Sequence, residues 1–67
     1  MLAVFLNGEE TLLSESLTLA ELIEQLGYSG KRIAVEKNGE IVPKSRHEVT
    51  RIDSGDRLEI VVAVGGG

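Results

Sequence analysis

The stretch Gly55-Asp56-Arg57-Leu58-Glu59-Ile60-Val61-Val62-Ala63-Val64-Gly65-Gly66-Gly67 decides how this chain folds. It follows a turn sequence, Asp53-Ser54-Gly55-Asp56, and from Leu58 to Val64 it is apolar at every position but Glu59. A strand so continuously apolar suits the interior of a sheet, paired along both edges. Alternation sends Leu58, Ile60 and Val62 to one face and Glu59, Val61 and Ala63 to the other. The run then passes directly into three glycines, which have no side chain to pack.

The best neighbour for this strand is the other strongly apolar run, Leu2 to Leu6. The same parity assigns Leu2, Val4 and Leu6 to the core and leaves Ala3 and Phe5 on the open face. Asn7-Gly8 follows, a dipeptide suited to a type I′ hairpin, and predicts a second short strand around Thr11 to Ser14. Thr18 and Glu21 have the spacing of a capping box, with Leu17 placed to staple onto Leu22. Leu19, Leu22, Ile23 and Leu26 then recur on one helical face until Gly27 stops the helix. Strand character returns at Arg32 to Lys37, turns at Asn38-Gly39 and resumes at Ile41-Val42 until Pro43, which cannot donate to a ladder. Lys44 to Thr50 reads as a polar loop with a helical turn. The order is ββαββ, two hairpins flanking one helix, and the class is α+β, a mixed sheet of four to five strands packed on that helix. Phe5, Val61 and Ala63 are expected to form a small apolar patch on the uncovered face, a candidate partner-binding surface.

A chain of 67 residues is a single small domain. It buries only about 60% of the surface its unfolded state exposes, which leaves no room for an enclosed substrate cavity. The absence of cysteine excludes disulfides, thiolate metal sites and a thiol nucleophile. No apolar run approaches the roughly 20 residues of a membrane-crossing helix, and Met1-Leu2-Ala3-Val4 lacks the basic flank of a secretory signal, so a cytoplasmic location is expected. Net charge is −4, which argues against nucleic acid as a partner. The charge is uneven, because all seven basic residues fall after Gly30 and the first thirty residues carry five glutamates and no cation.

Residues with catalytic chemistry are sparse. His47 is the only histidine and reads as a solvated residue of a polar loop. One imidazole beside Glu48 makes neither a triad nor a metal site. Gly30-Lys31 has the look of the end of a phosphate-binding loop, but Gln25 stands where the first glycine is needed and Arg32 where a Ser or Thr is needed. Lys44, Arg46 and Arg51 form a basic group suited to an acidic partner or RNA. The reading is therefore of a domain that is not an enzyme, with no catalytic residue, metal ligand or bound cofactor of its own.

Several segments together carry a family likeness. They are Leu6-Asn7-Gly8-Glu9, the Thr18-led helix, Ile33-Ala34-Val35-Glu36, Ile41-Val42-Pro43-Lys44-Ser45, and Gly55-Asp56-Arg57-Leu58-Glu59-Ile60 running on to Val64-Gly65-Gly66-Gly67. In these the chain resembles the ubiquitin-like β-grasp sulfur carriers, and most closely the thiamine sulfur-carrier family (ThiS). The resemblance implies a β-grasp domain over residues 1–64 and a flexible tail, Gly65, Gly66 and Gly67, that reaches about 10 Å when extended. It implies that a ThiF-like adenylyltransferase uses ATP and magnesium to convert the Gly67 carboxylate to an acyl-adenylate. A persulfide donor then leaves Gly67 as a thiocarboxylate, which gives its sulfur to a ThiG-like thiazole synthase. The chain would be a protein co-substrate in thiazole formation. Two other readings stay open at this point: a carrier for another pathway, like the small subunit of molybdopterin synthase, and a β-grasp module that binds without covalent change.

Overall fold

The computed structural model describes residues 1–63. Strand β1 (Leu2–Leu6) pairs antiparallel with β2 (Glu9–Leu13) across a turn in which Asn7 and Gly8 both take positive φ, 51° and 84°. That is the geometry a two-residue type I′ hairpin demands. Because the turn is so tight, pairing starts at once with Leu6 opposite Glu9, two residues earlier than the Thr11 start expected from apolar content. Helix α1 (Leu19–Gln25) is followed by a second hairpin, β3 (Ile33–Lys37) and β4 (Glu40–Val42), then a 3₁₀ turn over Lys44–Arg46 and β5 (Arg57–Val62). The short β4 and the final run are separate strands, so the order is ββαβββ and the sheet has five strands.

The strand order is β2-β1-β5-β3-β4. The most apolar strand is central and lies beside β1, as its composition suggested; it runs parallel to β1 and antiparallel to β3. Alternation holds on both central strands. Leu58 and Ile60 are buried while Glu59 and Val61 are exposed, and Val4 is buried while Phe5 is exposed. The helix side of the sheet forms one core of Val4, Leu13, Leu17, Leu19, Leu22, Ile23, Val35, Ile52, Leu58 and Ile60. This is the mixed sheet gripping one helix that defines the β-grasp. No helix among the described residues is long and apolar enough to cross a membrane.

Helix α1 starts where the sequence places it. Thr18 Oγ1 accepts from the Glu21 amide at 3.2 Å, and Glu21 Oε1 accepts from the Thr18 amide at 2.8 Å. The bond from the Thr18 backbone favours the charged Glu21 carboxylate and lowers its pKa from the ordinary value, its side-chain bond with Thr18 adding to the effect. A lowered folded-state pKa contributes stability above the usual glutamate range, and that contribution is lost as pH falls through the folded value. The next two helix donors go to a distant loop: Leu19 N–H donates to Thr50 C=O at 2.9 Å and Ala20 N–H to His47 C=O at 3.0 Å. Every donor of the first helical turn is thus partnered.

His47, expected in solvent, is buried. Its Nε2 lies 3.1 Å from the Val42 carbonyl and its own carbonyl serves Ala20. The ring thus contacts the end of β4 while the backbone of the same residue contacts α1. Asp56 is also buried; its carboxylate accepts from Asn38 Nδ2 at 3.0 Å and Asp53 N–H at 2.7 Å, with Lys37 Nζ at 3.6 Å.

The two turn asparagines do more than supply positive φ. Asn7 extends the parallel ladder with its side chain, accepting from Ile60 N–H at 2.8 Å and donating to Ile60 C=O at 3.3 Å. On the other side of β5, Asn38 Oδ1 accepts from Arg57 N–H at 2.9 Å and Asn38 N–H donates to Arg57 C=O at 2.7 Å. Replacing Asn7 with glycine separates the two roles, because glycine accepts positive φ more readily than asparagine. If Asn7 were only a turn residue, Asn7→Gly would be neutral or stabilising. The clamp predicts instead a loss of about 1–3 kcal/mol in urea unfolding, from two removed hydrogen bonds and an Ile60 amide left to find another partner.

Candidate functional site

The site is built around the point where β5 leaves the sheet. On the β1 side, the last support among the described residues is the Asn7 side chain at Ile60. On the β3 side it runs further: Val61 lies opposite Ala34, Val62 opposite Ile33, and Ala63 N–H donates to the Arg32 carbonyl at 2.8 Å. The chain is therefore held to the last described residue by Arg32. Gly65, Gly66 and Gly67, the expected tail, lie outside the described residues, as does the Val64 boundary of the domain.

The structure places Phe5, Val61 and Ala63 on exposed positions, with Val61 and Ala63 two residues apart, but it sets Phe5 apart from both. Phe5 is level with Arg57 in the parallel register, four residues before Val61. At about 3.3 Å per residue that is roughly 13 Å along the strand. Arg57 and Glu59 share the face between them, and Glu36 lies opposite Glu59. The open face thus carries separated apolar spots, with Phe5 near Leu12 at one end and Val61 beside Ala34 at the other. Sequence parity fixes which face a residue occupies, whereas this separation depends on the stagger between β1 and β5.

A groove of about 590 Å³ lies between α1, the segment from Tyr28 to Ile33 and the turn that holds Lys44 and His47, and Arg32, whose carbonyl holds Ala63, is part of its lining. Ile23, Tyr28 and Ile33 give it an apolar wall, Lys31, Arg32 and Lys44 its cations, and Glu24 and Glu48 its carboxylates. Gly30-Lys31 lies on the path from α1 into β3, whereas a phosphate-binding loop leads from a strand into a helix. Lys44, Arg46 and Arg51 are all exposed, but only Lys44 reaches this groove. The sequence placed Arg32 at the start of a strand but not beside Ala63, because that contact follows from the antiparallel register of β3 on β5, with Ile33 opposite Val62.

Residues 2–67 match the model of the ThiS family. The chain belongs to the ThiS family. Among solved structures, this ThiS chain is similar to the crystal structure of a thiamine biosynthesis protein (ThiS) from Geobacter metallireducens. The TM-score is 0.84 at 29% identity, over 98% of this chain and 100% of the other. A solution structure of a thiamine biosynthesis protein from the same organism gives a TM-score of 0.82, covering 88% of that chain. In sequence it is 47% identical over 62 residues to a thiazole synthase of Paramagnetospirillum magneticum, a match that covers 92% of this chain and 19% of that protein. The ThiS chain thus spans about a fifth of the length of that relative. It is also 36% identical over 66 residues to the uncharacterized protein ycf40 of Porphyra purpurea, 93% of which is covered. The ubiquitin-like β-grasp read from the sequence is the fold these ThiS structures share.

Proposed function

We propose that this chain is a sulfur carrier of thiamine biosynthesis, a protein co-substrate whose Gly67 carboxylate is the site of modification. The observation that carries this reading is the family match over residues 2–67, a span that includes the terminal glycines. A carboxylate is a poor electrophile because it is anionic and lacks a leaving group, so it must be activated before sulfur can enter. An adenylyltransferase of the ThiF type supplies that step. A Gly67 carboxylate oxygen attacks the α-phosphorus of magnesium ATP and pyrophosphate leaves. The terminal sulfur of a persulfide then attacks the acyl carbon, AMP leaves with the C–O bond electrons, and an acyl disulfide forms. Attack by a thiol on the sulfur that is not bonded to the acyl carbon breaks the S–S bond, releases the thiocarboxylate and joins the thiol to the donor sulfur as a disulfide. The thiocarboxylate is ionised and nucleophilic at neutral pH for the reason that thiolates are.

Thiazole synthase is the proposed acceptor. Its support is that a segment resembling this chain occurs inside proteins named thiazole synthase. Joining a carrier to its acceptor on one polypeptide raises the effective concentration of one for the other, which is useful only if they react. Intact-mass spectrometry tests the proposal. Incubation with the adenylyltransferase, magnesium ATP and a persulfide donor is expected to add the mass difference of sulfur for oxygen at Gly67. The loaded protein is then expected to support thiazole formation by thiazole synthase. An unchanged mass, in a mixture that loads the Geobacter metallireducens protein, overturns the reading.

A further inference from the structure

We infer that the groove carrying Lys31, Arg32 and Lys44 is the docking site for an acidic surface on the adenylyltransferase that takes up the glycine end of the chain. The inference rests on the sulfur-carrier reading and adds to it the face that docks and the charge of what it meets. Position is the first argument. The Arg32 carbonyl holds Ala63, so a protein that engages the residues beyond Ala63 is brought against Arg32 and Lys31.

Charge is the second. Lys31, Arg32 and Lys44 are exposed, and among the described residues the only ion pair is Lys37 with Asp56, so these three cations have no carboxylate within salt-bridge reach there. Glu24 and Glu48 line the same groove and leave it one positive charge in excess, whereas residues 1–30 carry five glutamates and no cation. The domain is polarised, with its basic groove where the chain leaves the sheet. An acidic patch beside the mouth of the receiving channel attracts that end and repels the hairpin that carries Glu9 and Glu10, which orients the encounter. Surface character is the third argument. Tyr28 and Ile33 are half-buried in a wall rimmed by charge, the anatomy of a protein interface, while on the open sheet face Arg57 and Glu59 break up the apolar residues.

The test is steady-state adenylation of the full chain by the adenylyltransferase with magnesium ATP at several salt concentrations. Lys31→Glu with Arg32→Glu is expected to raise KM for the carrier roughly tenfold, leave kcat unchanged and flatten the salt dependence. Arg57→Glu, on the opposite face, is expected to leave KM unchanged. Matching thermal melts establish that each variant folds. Unaltered KM in the double variant, while the unmodified chain is loaded, overturns the groove assignment and leaves the carrier reading intact. Failure to load the unmodified chain defeats the carrier reading itself. A raised KM for Arg57→Glu alone moves the interface to the open face and overturns the proposal. So does a salt-sensitive dimer of the chain that the double variant dissolves, because the groove would then bind a second copy.

Discussion

Deletion of Gly67 is expected to abolish sulfur loading while leaving the domain folded. The two outcomes separate because the core and the proposed chemistry occupy different parts of the chain. Among the described residues the core runs from Val4 to Ile60, and the partly buried residues packed against it run from Leu2 to Val42. Removing Gly67 touches none of these core residues, so unfolding stability is expected to stay within about 0.5 kcal/mol of the parent. The chemistry is more exacting. The shortened chain still ends in a glycine carboxylate of the same intrinsic reactivity, now on Gly66, so any loss must come from reach. One residue spans about 3.3–3.6 Å. A misplacement of about 1 Å already costs on the order of a hundredfold in rate, so withdrawal by a whole residue should bring adenylation below detection. Intact-mass spectrometry reads the loading and a thermal melt reads the fold. Loading of the shortened chain at the parent rate would show that the receiving enzyme does not measure tail length, and would remove the case for Gly67 as the site.

What the sequence made legible divides by the range of the interaction. The Thr18-Glu21 capping box, the apolar face of α1 and both Asn-Gly turns rest on contacts within four residues, and each stands where the spacing placed it. The central position of β5 was also readable, because a run with one charged residue in seven cannot lie at a wet edge without exposing apolar surface on both faces. Interactions that join distant segments left weaker traces. Nothing within the polar run from Lys44 to Arg51 says that His47 turns inward, since its partners Val42 and Ala20 lie on other elements. The Asn7 and Asn38 side chains were legible as turn formers and not as clamps, because their partners on β5 lie 53 and 19 residues away. The candidate patch shows the same limit. Exposure of Phe5, Val61 and Ala63 follows from parity within a strand, but the separation of Phe5 from the other two follows from the register of β1 against β5, which one sequence does not encode locally.

Ile52→Ala is expected to be among the most damaging single changes in the chain, although Ile52 stands alone between Arg51 and Asp53 with no apolar neighbour to mark it. Its side chain is fully buried, at 0% exposure. Its amide donates to Leu17 C=O at 2.9 Å, and its carbonyl accepts from Ser16 Oγ at 3.3 Å. Thr18 and Arg51 form a β-bridge beside it. The loop is thus stitched to the segment that enters α1, and Ile52 is the apolar anchor beneath the stitch. Truncating a buried isoleucine to alanine costs about 2–5 kcal/mol from lost transfer energy and the cavity left behind. For a domain this small, total stability is on the order of 3–10 kcal/mol. A drop in Tm of roughly 10–30 °C is therefore expected. Val61→Ala provides the contrast, since Val61 is 61% exposed and its truncation should change stability by no more than about 0.5 kcal/mol. The same loop supplies the Thr50 and His47 carbonyls that accept from Leu19 and Ala20. Hydrogen exchange at those two amides should accordingly speed up in Ile52→Ala more than exchange at Val35, in the centre of β3. A loss below about 1 kcal/mol would mean that the loop collapses onto the cavity and that the anchor is the backbone stitching, not the side chain.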